Sequence, residues 1–330
     1  MSALIKRLIL IMVICFCAGC TKITSQPVVL VAGSDYQFDG SIDAAERQVS
    51  HLLKSLQSTG IHHVDAFFFC GDYEVTGLNT NESIDSLKRV VRKFDSDSQM
   101  IFVQGNHDNG DSFSSNVYDT EDYGAYVIHE DMYPFCGDDI NLVNKTAADL
   151  SKYLHNKIIH DSSKPVFIFS HLPLHYTMRT FYDADVQYGS LIVDVINEAA
   201  SHGLNVYYLY GHNHSNGYDD YLGGAAVYMK PGDTIYVSEL TDPQLPAVKK
   251  TLDFTYFNAG YLLGYSSMNK EVDNSATMSV ILIHGSKVSI ERYDQNGKHA
   301  LKSLGFWNIF MNESILNYAD STDGYLMTTY

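Results

Sequence analysis

The sequence predicts an α/β fold, and three observations carry that prediction. Five apolar runs of strand length alternate with amphipathic helical segments. Each of the five runs ends in a cluster of polar residues. After residue 222 the alternation gives way to strand-like segments separated by turn residues. Continuous apolarity over so few residues means strands covered on both faces, and strands alternating with helices imply a layered core.

The elements follow in order. Residues 27–33 (PVVLVAG) form the first strand, and SIDAAERQVSHLLKSLQSTG then places Ile42, Ala45, Val49, Leu52 and Leu56 on one helical stripe that stops at Gly60. Residues 64–70 (VDAFFFC) and 99–105 (QMIFVQG) are strands flanking the helical NESIDSLKRVVRKF. The stretch 109–163, polar and aromatic before the helical TAADLSKYLHNKIIH, reads as an insertion at a strand end, where selectivity commonly resides. Residues 164–170 (KPVFIFS) and 205–211 (NVYYLYG) enclose GSLIVDVINEAASHG, a helix closed by Gly203. The later segments AAVYMKPGDTIYVSEL, LDFTYFNAGYLLGYSS and TMSVILIHGSKVSIERYDQNGK complete a second sheet packed on the first, with QNGK as a hairpin turn. No linker rich in Pro, Gly or Ser divides the chain, so one domain spans 27–300 and residues 301–330 form a C-terminal extension.

Charge narrows the function. With 22 basic and 39 acidic side chains the formal net charge is −17, which excludes a polyanion-binding surface, so no nucleic-acid polymer is expected as a partner. An anionic substrate must be held by something local. At the N-terminus, Lys6 and Arg7 precede an apolar run from Leu8 to Ala18, then Gly19 and Cys20. That run is short of the ~20 residues of a spanning helix and suits a secretory signal. The stretch CAGC resembles a bacterial lipoprotein cleavage box, with Cys17 where leucine is usual. Residues 1–19 are then a signal peptide and Cys20 the lipidated first residue, which anchors an exported protein to the outer side of the cell membrane; an ordinary cleaved signal or a short buried segment is the alternative. Cys70 and Cys136 remain and make no disulfide framework.

The polar clusters at the strand ends carry the chemistry. They are Asp35 with Gln37, Asp72 in GDYE, Asn106, His107 and Asp108 in GNHDN, His171 in SHLPLH, and His212 with His214 in GHNH. Carboxyl ends of neighbouring strands converge on one sheet edge. Carboxylate, amide and imidazole suit Mn, Fe, Zn or Mg, and no thiolate favours a structural zinc site. A nucleophile elbow is absent from the sequence, and a glycosidase pair would leave the histidines unexplained. In extended backbone, residues two apart face one side, so Asp35 and Gln37 can reach the same ion. An amide there in place of imidazole tilts that position toward Mn or Mg.

The ordered set D-x-[HQ], G-D, G-N-H-[DE], H and G-H-x-H resembles the calcineurin-like metallophosphoesterase superfamily over residues 28–214, and FNAGY at 257–261 fits its second sheet. The resemblance implies a four-layer α/β/β/α sandwich with two packed mixed sheets. It implies that Asp35, Gln37, Asp72 and His214 hold one divalent metal ion, and that Asp72 bridges to a second completed by Asn106, His171 and His212. Hydroxide held between the two ions would hydrolyse a small phosphomonoester or phosphodiester, with His107 assisting the departing oxygen and Asp108 orienting its ring. Val75 stands where the purple acid phosphatases have tyrosine, which excludes that subgroup. His175, Tyr176 and Arg179 follow His171 closely and are the candidate substrate contacts. The competing reading is a cell-surface binding protein that keeps the fold without turnover; His107 and Asp108 speak against it. Nothing in the sequence points to a particular oligomeric state.

Overall fold

Alternation of side chains along each strand assigns them to layers. The structure, a computed structural model, describes residues 26–37, 40–109, 113, 115–134, 139–174, 188–212, 228–237, 248–263 and 276–300. The first sheet holds β1 (Val28–Gly33), β2 (Ala66–Cys70) and β3 (Gln99–Val103), continued on the other side of β1 by β12 (Met278–His284), β13 (Lys287–Asp294) and β14 (Gly297–Ala300). The order is β14-β13-β12-β1-β2-β3, with β1, β2 and β3 parallel and β12 antiparallel to β1. The second sheet contains β4 (Val117–Asp119), β5 (Gly124–Ile128), β6 (Val166–Ser170), β7 (Val206–Tyr210), β8 (Tyr228–Met229) and β11 (Thr255–Asn258). Its order is β4-β5-β6-β7-β11-β8, a parallel centre with antiparallel strands at both edges. A small hairpin pairs β9 (Thr234–Val237) with β10 (Val248–Thr251).

Among the described residues, four helices cover the outer faces: α1 (Ile42–Ser58) and α2 (Thr80–Phe94) on the first sheet, α3 (Ile140–Asp161) and α4 (Gly189–Ser201) on the second. On β2, Phe67 and Phe69 point to α1 and α2, while Phe68 points to the other sheet and stacks on Phe169 with ring centroids 3.8 Å apart. On β6, Phe167 and Phe169 face the first sheet, and Val166 and Ile168 face α3 and α4. The three buried clusters are therefore the three interfaces of an α/β/β/α sandwich. The stripe read from the sequence of α1 buries Ala45, Val49, Leu52 and Leu56, and Ser41 caps it by accepting from the Ala44 amide at 3.3 Å.

Two expectations change. Strands β12 to β14 extend the first sheet, whereas among the described residues only β8 and β11 of the late segments join the second. The five apolar strands are thereby divided, three in one sheet and two in the other, because apolarity on both faces does not say which sheet covers them. The segment 109–163, expected as an insertion, supplies β4, β5 and α3 to the second layer, where Tyr126, Ile128, Leu150 and Leu154 are core residues. Residues 1–25 and 301–330, with Cys20 and the C-terminal extension, lie outside the described residues, as does Cys136. No helix among the described residues is long and apolar enough to cross a membrane.

Candidate metal centre

The loops that leave β1, β2, β3, β6 and β7 meet where the carboxyl edges of the two sheets adjoin. They are tied to one another by backbone: Asp35 N donates to Gly71 O at 3.0 Å, and Gly211 N to His171 O at 2.9 Å. Ser34 Oγ donates to Cys70 O at 2.9 Å. Among the described residues, four non-glycine positions have positive φ, and three of them are Asp35 (58°), Asp72 (61°) and His212 (69°). Such left-handed backbone costs roughly 1–2 kcal/mol per residue for a residue with a Cβ, and it persists where the surroundings over-determine it. Here it turns the chain sharply off each strand so that the side chain points back over the sheet edge. Gly105 shows how tight this is, because a Cβ there would run into the Asp72 carboxylate and amide nitrogen.

The atoms that converge are oxygen and nitrogen atoms of the kinds that bind metal ions. His171 Nδ1 lies 2.7 Å from Cys70 O, and a carbonyl only accepts, so the Nδ1 nitrogen carries the proton. In the neutral ring Nε2 is then a lone pair. It faces Asn106 Oδ1 at 3.0 Å, Asp72 Oδ2 at 3.1 Å and His212 Nδ1 at 3.2 Å. His212 Nδ1 in turn lies 3.0 Å from Asn106 Oδ1. Asp72 and His212 are fully buried and His171 nearly so. With Nδ1 protonated, the Nε2 lone pair of His171 and the Asp72 Oδ2 carboxylate oxygen, both buried, repel at this distance unless a cation lies between them. Without metal the cation is a proton. Burial opposes charge on His171, but the Asp72 carboxylate outweighs it, with Asp35 adding to the effect, and pushes the imidazole up to about 9. Burial also opposes charge on Asp72, and His171 and His212 overcome it and hold the carboxyl well below its usual range. The donor set fits a divalent ion, since hard oxygen and borderline nitrogen are what Mn, Fe and Zn take.

Two expected contacts are corrected. Asp108 does not orient the His107 ring. Its Oδ2 accepts from Asp72 N at 2.9 Å and Gly105 N at 2.7 Å, and its Oδ1 from Tyr73 N at 2.7 Å. Both carboxylate oxygens are turned onto backbone amides, and burial with the nearby Asp72 charge pushes the group up to about 7. His107, 40% exposed, instead pairs through Nδ1 with Glu74 Oε2 at 3.1 Å, while its own amide donates to Asp72 Oδ1 at 3.0 Å. Glu74 was not singled out in the sequence; an acidic residue two places after Asp72 in the GDYE turn was the available signal. The same-face argument for Asp35 and Gln37 also fails, because β1 ends at Gly33 and Asp35 is left-handed rather than extended. Tyr36 between them is buried against α2, its hydroxyl 3.0 Å from Ser86 Oγ, and Gln37 is half-buried in the loop beyond. Val75 is buried at 1% exposure. His214, His175, Tyr176 and Arg179 lie outside the described residues.

The sequence profile of the calcineurin-like phosphoesterases matches residues 34–216, more than half of the chain. The chain belongs to that family. This phosphoesterase is similar to three solved structures. One is a dimetal phosphatase from Danio rerio (TM-score 0.45, 10% identity, 84% of this chain and 99% of that one covered). Another is GAP50, the anchor in the inner membrane complex of Plasmodium (0.49, 10%, 85% and 91%). The third is the phosphopantetheinyl hydrolase PptH from Mycobacterium tuberculosis (0.35, 14%, 77% and 95%). No curated protein matches the sequence. Membership makes the chain a metal-dependent phosphoester hydrolase, and the family implies a dinuclear divalent centre; Asp72, His171 and His212 form a buried group that could hold a metal ion.

Proposed function

We propose that this phosphoesterase is an exported, lipid-anchored enzyme that hydrolyses a small phosphomonoester or phosphodiester on the outer side of the cell membrane. The observation that carries the catalytic part is the convergence of the buried Asp72, His171 and His212 with Asn106, their oxygen and nitrogen atoms 3.0–3.2 Å apart. These four residues would hold one ion, and Asp35, Gln37 and His214 would join Asp72 around the other. When bound, two such ions supply Lewis acidity and lower the pKa of water to near neutrality. Against the Asp35 and Asp72 carboxylates they leave a net positive pocket on an acidic protein, which draws phosphate locally where the global field repels it. His107, 40% exposed, would stand at the solvent side of that pocket. With Nδ1 held by Glu74, Nε2 is the nitrogen free to donate to the leaving oxygen. His175, Tyr176 and Arg179 would contact the remainder of the substrate. The signal-like residues 1–19 and the CAGC box support export and a lipid on Cys20.

Hydrolysis of p-nitrophenyl phosphate and bis-p-nitrophenyl phosphate, after chelation and reloading with Mn, Fe, Zn or Mg, tests the reaction. Turnover should require metal and fall about 10²-fold or more in His107→Ala, with a larger fall in Asp72→Asn. Failure of every metal to support turnover of either ester would sink the enzyme reading. Anchoring is checked by labelling cells with a radioactive fatty acid. Label should follow the wild-type chain and vanish with Cys20→Ala; equal labelling of both would reject Cys20 as the anchor.

A further inference from the structure

We propose that Asp108 is a positioning residue for Asp72. By taking three backbone amides it fixes the left-handed turn that aims the bridging carboxylate into the centre, and it does not act through His107. The inference rests on the metal-centre reading above and deepens it.

The geometry is reciprocal. The Asp108 carboxylate accepts the amides of Asp72 and Tyr73 from the loop after β2 and of Gly105 from the loop after β3, at 2.7–2.9 Å. The Asp72 carboxylate returns the contact by accepting the His107 amide at 3.0 Å through Oδ1, which leaves Oδ2 turned to His171. Each loop thus holds the other's backbone, and Gly105 lies at the crossing, where a side chain would collide with Asp72. Backbone amides only donate, and one buried carboxylate facing three of them satisfies all three at once. Asp108 is 6% exposed, so water does not compete for these bonds. A carboxylate that served the His107 ring would turn an oxygen toward it; here that ring meets Glu74.

The substitutions separate this role from a merely structural one. In Asp108→Asn a single amide oxygen can occupy the Oδ2 position and keep Asp72 and Gly105, with its NH₂ set against the Tyr73 amide. In Asp108→Ala all three are lost. Chelated protein is titrated with Mn²⁺ and followed by electron paramagnetic resonance, which reports both affinity and the spin coupling of two bridged ions. Circular dichroism checks that each variant is folded. We expect Mn²⁺ affinity to fall about 10–100-fold in Asp108→Ala, with loss of the coupled signal, and by a smaller factor in Asp108→Asn. His107→Ala should bind Mn²⁺ within about twofold of wild type, since it removes no ligand. A folded Asp108→Ala with wild-type affinity and coupling overturns the proposal. Should that variant not fold, Asp108→Asn decides: weakened affinity supports the proposal, unchanged affinity overturns it. Wild-type protein that takes up no Mn²⁺ would reject the metal centre itself, and this inference with it, before any variant is compared.

Discussion

At the scale of single residues, the site is built from backbone as much as from side chains. Asp35, Asp72 and His212 adopt left-handed φ, and glycines precede Asp72, Asn106 and His212 in the sequence. Ligand types were legible in the sequence because carboxylate, amide and imidazole recur at strand ends. The turns that aim them were not, since residue type alone does not report φ. Gln37 shows the difference. Its place two residues from Asp35 is plain, but the alternation expected of an extended strand stops at Asp35. If Gln37 nevertheless supplies an oxygen to the first ion, Gln37→His should tighten that ion and shift preference from Mn toward Zn, with the second site little changed. Calorimetric titration of chelated protein reads both affinities; the same pair of values before and after would show that Gln37 is no ligand.

At the scale of elements, capping residues fix where the helices begin and end, and hence where the site loops start. Asn79 and Glu82 form a reciprocal capping box on α2, both bonds at 3.0 Å. At its other end Asp95 joins the helix to the entry of β2, accepting from Val64 N at 3.0 Å, Ser98 Oγ at 2.8 Å and His63 Nδ1 at 2.7 Å. Burial opposes charge on Asp95, but the Val64, Ser98 and Asp97 donors outweigh it and hold the carboxyl below its usual range. A depressed carboxyl stabilises the fold above the ordinary value of about 3.9, and that contribution is lost as pH falls through the lower folded value. Asp95→Asn should therefore lower unfolding free energy by about 1–3 kcal/mol at pH 7, with the gap closing below pH ~4. Urea unfolding at the two pH values checks it; an equal gap at both would remove the charge from the explanation. The sequence pattern located the four helices of the described residues and most of their strands. It missed β5, because GAYVI is short and follows a polar stretch, and its pairing with β4 and β6 marks it as a strand of the core.

At the scale of the molecule, the two sheets hold the candidate centre between them: Asp72 and Asn106 come from loops of the first, His171 and His212 from loops of the second. Metal binding and the packing of the sheets are therefore linked. Saturation at about 10³ times the dissociation constant adds ~4 kcal/mol, so chelation should lower the melting temperature by roughly 5–10 °C. The loss should depend on pH. Without metal, the His171 imidazolium paired with Asp72 stabilises the fold fully below its ordinary value of about 6.5, and this is lost as pH rises through about 9. Chelated protein should thus melt at progressively lower temperature from pH 7 to 10, while the metal-loaded form, whose His171 is neutral, should not follow it. Parallel curves for the two forms in differential scanning calorimetry would refute the linkage.

By itself the sequence determined the layered α/β class, the candidate ligand types and their order along the chain. Periodicity and residue chemistry are local properties, and they survive in a linear reading. Tertiary structure alone decided that β1 to β3 and β6 to β7 belong to different sheets, that Asp108 serves backbone amides rather than His107, and that Glu74 is the partner of that ring. Each of those outcomes depends on where a loop turns and which distant loop it meets. That is settled by the packing of Phe68 on Phe169 and its neighbours across the two sheets, not by any short stretch of residues.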